Sequence, residues 1–98
     1  MNASHFIPAE TLCSHYDIDI SFVDALHTIG LLHIEIIEHN QCIHQDQIRD
    51  LEKMIRLHNE LNVNLEGIDV VFNLLEKERA LRTEVHTLKS RLRLYEGG

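Results

Sequence analysis

The chain has few of the residue types that carry large rings or restrict the backbone. Its 98 residues include no tryptophan, two tyrosines, three phenylalanines, one proline and four glycines. Hydrophobic residues nevertheless make up 44% of the sequence and charged residues 26%. This composition is typical of a globular protein and predicts one domain with a modest, mainly aliphatic core.

Long apolar runs and targeting signals are also missing. The sequence has no stretch of about 18 apolar residues, the length that predicts a membrane-spanning helix. The N-terminal residues MNASHFIPAE lack the basic and apolar regions of a signal peptide. The two cysteines, Cys13 and Cys42, do not imply a disulfide-stabilised fold. We therefore expect a cytoplasmic protein that does not engage a membrane.

Positive charge is absent from the first half of the chain. Residues 1–48 contain no lysine or arginine, and their seven carboxylates account for the whole net charge of −7. From Arg49 onward, nine basic and nine acidic residues cancel. The acidic residues of the first half are Glu10, Asp17, Asp19, Asp24, Glu35, Glu38 and Asp46.

This charge distribution separates two classes of partner. Duplex DNA is bound largely through lysine and arginine contacts with phosphates, which the first half of the chain cannot make. The sequence therefore disfavours nucleic acid as a partner. An acidic surface instead favours a basic protein, because opposite charge speeds association and suppresses wrong partners. The alternative is a solvated face that binds nothing.

The first 30 residues predict two short helices. Pro8 fits the first turn of one helix, where its missing N–H is not needed, and Tyr16 ends that helix. Ser21 is placed to cap the second helix, and Gly30 to end it. This second helix carries Asp24 and no lysine or arginine.

A β-hairpin is predicted next. Residues 31–37, LLHIEII, are rich in β-branched side chains and predict a strand. Asn40 is suited to a left-handed turn, and residues 42–44 provide a short return strand. Two helices followed by a hairpin form a winged helix-turn-helix arrangement.

The second half predicts two further helices. Residues 46–61 have the apolar periodicity of an amphipathic helix. Asn64 can cap a last helix that extends from about residue 65 to about residue 94. At 1.5 Å per residue, such a helix spans about 45 Å, which is longer than a domain of this size can cover.

Apolar residues on this last helix follow a heptad repeat, the pattern of helices that pair as coiled coils. We therefore expect a homodimer; the alternative is that the helix folds back on its own domain. The flanking charges do not distinguish parallel from antiparallel pairing. The predicted dimerisation residues are Val71, Leu74, Leu81, Val85, Leu88, Leu92 and Tyr95.

Few residues are arranged for chemistry. His39, Cys42 and His44 include one spacing found in zinc sites, but a buried cysteine in a strand explains Cys42 as well. The sequence contains no phosphate-binding glycine loop, no serine elbow and no HExxH motif. We expect no enzyme activity, no metal site and no cofactor.

The order of helix, turn, FVDALHTIGLL, hairpin, amphipathic helix and long helix resembles the MerR-type winged-helix module. That family typically has an arginine on the second helix, and its position, counted back from Gly30, falls on Asp24. The family's glycine in the preceding turn falls on Asp17. The wing usually has Arg-x-Tyr where this chain has Cys42-Ile43-His44. The resemblance implies that the core pattern is kept while phosphate-contacting positions are replaced.

A more specific resemblance covers residues from about 5 to 95. The segment RLHNEL, a short break and then EGIDVVFNLL are similar to the CbpM-type chaperone modulators. These proteins bind the J-domain of a DnaJ-like co-chaperone and restrain its activation of Hsp70. J-domains carry a basic helix beside the loop that engages Hsp70, so the resemblance implies that an acidic domain covers this helix.

These observations together predict a mainly α fold: a MerR-like winged helix-turn-helix with a small β-hairpin wing and a long C-terminal dimerisation helix. Residues 1–62 would form the winged-helix-like domain and residues 63–98 the helix. The predicted function is a non-enzymatic modulator that binds a J-domain and inhibits its activation of Hsp70. The alternative is a MerR-like DNA-binding transcription regulator, with phosphate contacts from Arg49, Lys53 and Arg56. The predicted partner-binding residues are Asp17, Asp19, Asp24, Glu35 and Glu38.

Overall fold

A computed structural model describes residues 5–96; residues 1–4 and 97–98, at the outer ends of the two predicted domains, lie outside this range. The predicted mainly α, winged helix-turn-helix architecture with a long C-terminal helix is confirmed. A short 3-10 turn, Gln45–Gln47, precedes the third helix. In chain order the elements are β1 (Phe6–Pro8), α1 (Ala9–Tyr16), α2 (Ile20–Thr28), β2 (Glu35–Ile37), β3 (Asn40–His44), α3 (Ile48–Glu60) and α4 (Leu65–Glu96).

The wing is a three-stranded antiparallel sheet, with strand order β1-β3-β2. The sequence predicts only the β2–β3 hairpin, and β1 is added because Ile7 pairs with Ile43 and Pro8 with Cys42. Pro8 therefore ends β1 and precedes α1, and the expectation that it lies in the first helical turn is wrong. Proline is tolerated at this sheet edge because an edge strand does not need every N–H.

The hairpin turns through two residues, Glu38 and His39, whose φ angles are 51° and 67°. Two consecutive positive φ angles characterise the type I′ turn, whose twist matches that of the flanking strands. The left-handed residue predicted at Asn40 is therefore misplaced, since Asn40 begins β3 and pairs with Ile37. The wing hence ends in a tight, two-residue tip.

Strand β2 is shorter than predicted, because the chain before it is held as a loop. The side-chain amide of Gln47 accepts a hydrogen bond from the His33 N–H and donates one to the His33 carbonyl oxygen, both at 2.8 Å. These two bonds occupy backbone groups that a strand would use for pairing. The pairing of β2 accordingly starts only at Glu35.

Left-handed residues end both short helices. Asp17, with φ of 54°, follows α1, which is the backbone region that favours glycine and agrees with the glycine of the MerR-type pattern. Gly30, with φ of 85°, follows α2, and its N–H donates to the His27 carbonyl at 3.1 Å. The Leu31 N–H donates to the Leu26 carbonyl at 3.0 Å, which completes a Schellman motif and confirms Gly30 as the stop.

The start of α2 differs from the prediction. The helix begins at Ile20, directly after Asp19, so Ser21 lies inside the helix and does not cap it. The Asp19 carbonyl accepts the Phe22 N–H at 3.0 Å, as expected for the residue that precedes a helix.

The core lies between the sheet, α1, α2, α3 and the first turns of α4. Its side chains are aliphatic apart from one methionine, which agrees with the composition. Ile68 is fully buried, so the beginning of α4 completes the core of the winged-helix region. The buried cluster consists of Ala9, Leu12, Val23, Leu26, Leu32, Ile43, Leu51, Met54, Ile55 and Ile68.

The turn between α3 and α4 fixes the angle at which the long helix leaves the core. Asn62 has a φ of 54°, and the Val63 N–H donates to the Leu57 carbonyl at 3.0 Å. The side chain of Asn64 accepts the Gly67 N–H at 2.8 Å, which confirms the predicted cap. A Cβ atom at Gly67 would lie only 2.6 Å from Cγ1 of Val63, so a larger residue there would displace the Val63 side chain.

Candidate functional site

Three acidic residues of the first half of the chain influence the thiol of Cys13. Burial raises the pKa of Cys13, and the negative charges of Asp19, Asp24 and Glu10 raise it further, in that order. The three carboxylates therefore act on the same thiol, although Glu10 belongs to α1, Asp24 to α2 and Asp19 to the turn directly before α2. Asp19 and Asp24 belong to the predicted partner-binding set, whereas Glu10 does not.

Glu10 could have been found from the sequence. It lies three residues before Cys13 on one helix, so both side chains share a face of α1. The charge count already included it among the seven carboxylates, but nothing local indicated that α2 would bring two more acids beside it.

A recess lies between this acidic cluster and the tip of the wing. It has a volume of about 300 Å³ and is lined by Glu10, Ile20, His39 and Gln41 among others. The Gln41 amide nitrogen lies 3.5 Å from a carboxylate oxygen of Asp24, so the hairpin and α2 meet at this edge. The apolar side chain of Ile20 thus lies beside acidic residues at this surface.

The wing contributes a second exposed apolar residue. Ile36 is directly opposite Gln41 in the sheet, so the two side chains share a face, and 64% of Ile36 is exposed. Ile20 and Ile36 are therefore exposed apolar side chains beside the acidic residues. Protein interfaces commonly combine apolar and charged side chains in this way.

The remaining three predicted partner-binding residues, Asp17, Glu35 and Glu38, lie in different parts of the domain. Asp17 and Asp19 line a recess of about 190 Å³ with Phe22 and His58. Glu38 is exposed at the tip of the hairpin. The five acids therefore do not form one patch: Asp19 lines the recess that contains Asp17 and not the one beside the wing, and Glu38 lies at the end of the wing.

Glu35 lies on the opposite face of the sheet from the helices. It pairs with Cys42, and successive strand residues point to opposite faces, so Cys42 and Glu35 face away from Ile43, which packs in the core. A ring nitrogen of His33 lies 2.9 Å from its carboxylate. Glu35 is thus separated from the cluster on α1 and α2.

His58 lies at the surface of α3 and packs on α2. Its ring stacks on Phe22 with a centroid distance of 4.8 Å, and its Nδ1 lies 3.2 Å from the Val63 carbonyl oxygen. These contacts explain a histidine on the apolar side of α3 without a metal or a catalytic role.

The predicted dimerisation residues lie along one side of α4. Val71 is half-buried against the domain, and the other six are exposed in the single chain. Beyond its first turns α4 leaves the core, and an apolar row of this length is an unfavourable surface for a monomer in water. Pairing with a second copy remains a prediction.

Among residues 5–96, no three histidine, cysteine, aspartate or glutamate side chains are grouped so that they could hold a metal ion. No helix in the described part of the chain is both long enough and apolar enough to span a membrane.

Comparison with known proteins identifies the family. The model of the family described as "MerR HTH family regulatory protein" matches residues 7–90. The "Chaperone modulatory protein CbpM" of Pseudomonas entomophila (strain L48) is 30% identical over 93 aligned residues, which cover 84% of this chain and 82% of that protein. No solved structure gives a significant match. Neither description denotes an enzyme. The chain belongs to the MerR helix-turn-helix family and, within it, to the CbpM-type chaperone modulatory proteins.

Proposed function

We propose that the acidic winged-helix region binds the J-domain of a DnaJ-like co-chaperone and so inhibits its activation of Hsp70. The observation that carries the proposal is the charge distribution: seven carboxylates and no lysine or arginine in residues 1–48. The similarity to a chaperone modulatory protein supports it. The proposal places the protein in the cytoplasm, where the free thiols of Cys13 and Cys42 stay reduced.

The proposed mechanism is competition for one surface. The carboxylates of Glu10, Asp19 and Asp24 attract the basic helix of a J-domain, and Ile20 beside them supplies apolar contact. A J-domain helix covered in this way is no longer available to Hsp70. No bond is made or broken, so the protein acts as a non-enzymatic modulator.

The test is direct binding to a purified J-domain at two salt concentrations. We expect the affinity to fall at least tenfold between about 50 mM and about 300 mM salt, because screening weakens contacts between exposed charges. A parallel assay of J-domain-stimulated Hsp70 ATPase should show inhibition that follows occupancy. Absence of binding at the lower salt concentration would end the proposal.

Charge-reversal variants locate the surface. Asp19→Lys and Asp24→Lys should each weaken J-domain binding about tenfold or more, because each replaces an attraction by a repulsion. Glu84→Lys, an exposed position on the distant part of α4, is the matched control and should bind as the parent does. Glu35→Lys tests the other face of the sheet. If it has the largest effect, the J-domain binds that face and not the α1–α2 cluster.

The same proteins distinguish the alternative function of DNA binding. An electrophoretic shift with duplex DNA at low salt should be absent, since residues 1–48 provide no cation for phosphates. A shift that is lost in Arg49→Glu would instead support a DNA-binding regulator.

We also propose that α4 mediates homodimerisation through the seven residues of its predicted seam. The support is the heptad spacing together with the exposure of six of these side chains along the projecting helix.

A further inference from the structure

An apolar recess lies between α3 and α4, away from the acidic cluster. It has a volume of about 180 Å³ and is lined by Leu57, Leu61, Val71, Phe72 and Leu75, with Lys53 and Arg56. A cavity of about 150 Å³ with aliphatic walls is large enough to bind benzene, so this recess has room for one leucine or phenylalanine side chain. Leu61 is 64% exposed at its edge. We call this recess the α3–α4 groove.

The charged groups that line the α3–α4 groove are both positive. Lys53 and Arg56 are three residues apart on α3 and so lie on one side of that helix. The ion pairs among residues 5–96 are His33–Glu35, His44–Asp46 and Arg82–Glu78, and none of them involves Lys53 or Arg56. Arg56 also borders a recess with Glu52 and Glu60, but it forms no ion pair with either of them. Both cations can therefore pair with a partner's carboxylates.

The positive character is confined to one end. A neighbouring recess of about 350 Å³ is also lined by Lys53, Phe72 and Leu75. Its lining also includes three carboxylates, Asp50, Asp69 and Glu76, and one further cation, Arg79. A segment lying along both recesses would meet two cations and an apolar floor at the Arg56 end, and mixed charge at the other. This asymmetry would fix the direction of a bound segment.

The dimer seam of α4 lies on a different face from the α3–α4 groove. Leu74 belongs to the seam and Leu75 to the groove, and consecutive residues are turned by about 100° around a helix with 3.6 residues per turn. Val71 lies at the boundary between these two faces. A second copy that covers Leu74, Leu81 and Leu88 therefore leaves Leu57 and Leu61 open to another partner.

We propose that the α3–α4 groove is a docking site for an acidic amphipathic helix of a partner protein. One leucine-like side chain would fill the apolar recess between Leu57 and Leu75, and carboxylates on the same helix would pair with Lys53 and Arg56. This surface has the opposite charge to the cluster on α1 and α2, so it would select a different segment from the one that binds there.

A protein segment fits this site better than a nucleic acid does. Phosphate binding requires cations along a path, whereas here two cations flank an apolar floor. Amphipathic helices bind grooves of this kind through apolar anchors at i, i+3 or i+4 and i+7. The apolar floor would remain unused by a phosphate backbone.

The test uses labelled, capped helical peptides and the full-length protein. The probe places leucines at i, i+3 and i+7 and glutamates elsewhere; its control has uncharged glutamines in place of the glutamates, because a basic peptide would bind the acidic cluster. Fluorescence anisotropy should give a dissociation constant below about 100 µM for the glutamate peptide, at least tenfold tighter than for the glutamine peptide. Binding that is equal for both peptides, or absent for both, would overturn the proposal.

Matched variants assign the binding to the groove. Arg56→Glu and Leu61→Ser should each lower the affinity for the glutamate peptide at least tenfold. Lys89→Glu and Leu94→Ser make the same changes at exposed positions elsewhere on α4 and should leave its affinity unchanged. Equal losses in both sets would overturn the proposal, as would tighter binding of duplex DNA than of the glutamate peptide.

Sedimentation of the same variants separates a partner segment from a second copy. If Leu61→Ser leaves the association state unchanged while it weakens the peptide, the groove accepts a partner segment, as proposed. If it dissociates a dimer of the parent protein, the groove is occupied by a second copy and the proposal is wrong. Neither result depends on whether the acidic cluster binds a J-domain.

Discussion

The winged-helix region and the projecting part of α4 distribute apolar and charged residues in opposite ways. In the winged-helix region, leucines such as Leu26 and Leu51 are completely buried. Residues 1–48 of this region carry seven carboxylates and no lysine or arginine. In the projecting part of α4, Leu81 and Leu88 are 61% and 55% exposed. Charges of both signs flank them, and the Arg82–Glu78 pair spans one turn of the helix. The winged-helix region buries a set of large apolar side chains in its own core, whereas the projecting part of α4 leaves its leucines exposed.

The difference shows that a periodic apolar pattern does not itself determine what it packs against. Ile68 and Leu88 lie on the same helix, yet Ile68 is buried and Leu88 is exposed, because only the first turns of α4 reach the core. Stabilising pairs such as Arg82–Glu78 contribute only about 0.2–0.5 kcal/mol each to a helix. Burial against a partner helix would therefore stabilise the apolar row of α4 most. The winged-helix region would bind a partner mainly through opposite charge.

The largest expected effect compares one substitution in the two regions. Leu51→Ala removes a fully buried side chain and should lower the free energy of unfolding by about 2–5 kcal/mol. Leu88→Ala, at an exposed position, should change that of the monomer by no more than about 0.5 kcal/mol. Urea denaturation at low protein concentration measures both. Similar losses in the two variants would contradict the contrast between the regions.

The second prediction concerns pairing through α4. Leu81→Glu should weaken a dimer by about 3 kcal/mol, or about 100-fold, because two copies of the leucine leave the interface. Leu94→Glu is the control, since Leu94 is exposed and lies about 200° around the helix from Leu92 in the seam. Sedimentation velocity over a concentration series gives the association constants. A parent protein that is monomeric at tens of micromolar would exclude the dimer.

The third prediction tests the tip of the wing. Glu38 and His39 both have positive φ angles, which glycine and asparagine adopt more readily. The double change Glu38→Asn with His39→Gly should raise the free energy of unfolding by about 1 kcal/mol. Gln41→Gly, inside β3, should lower it by about 0.5–1 kcal/mol. Thermal unfolding that changes in the same direction for both proteins would contradict the assigned turn.

The smallest expected effect uses Cys13 to report the acidic cluster. Burial and three nearby carboxylates raise its pKa, so alkylation should require a higher pH than for an ordinary cysteine. Asp19→Asn and Asp24→Asn should each shift the alkylation profile to lower pH, whereas Glu38→Gln should not. Peptide mapping by mass spectrometry separates Cys13 from Cys42. Equal profiles in all variants would show that the three carboxylates do not act on this thiol.

The same shift has a consequence for stability, with a definite sign. Because folding raises the pKa of the thiol, the neutral thiol is favoured in the folded state. Its contribution is complete below the unfolded pKa of about 8.5 and is lost as pH rises through the folded pKa. Asp24→Asn should reduce this alkaline loss, which parallel urea titrations at neutral and alkaline pH would detect.

Local patterns allowed the helices to be predicted well. The periodicity in residues 46–61 and the cap at Asn64 place α3 and α4 close to their observed bounds, since both signals arise within one element. Strand β1 was not predicted, and the left-handed turn was predicted at Asn40 although it is formed by Glu38 and His39. Pairing between Ile7 and Ile43 joins residues far apart in the chain, and no local pattern encodes it. Turn position likewise depends on the register of the two strands.

The partner-binding site remains a prediction. Counting charges identified the acidic half of the chain, and the charges of Asp19 and Asp24 both raise the pKa of Cys13. Glu35 could not be assigned to a face, because a change of one residue in register moves every side chain to the other side of a sheet. The α3–α4 groove was not predicted, since its walls come from two helices whose angle is set by the turn between them.

The sequence by itself determined the sign and location of the charge, the aliphatic core pattern and the length of the last helix, because these depend on residue type and spacing along the chain. Only the tertiary structure decided which carboxylates meet at Cys13, which leucines of α4 remain exposed and that Lys53 and Arg56 border an apolar groove. Those features depend on turns such as Gly30 and Asn62, whose backbone angles orient one element against the next.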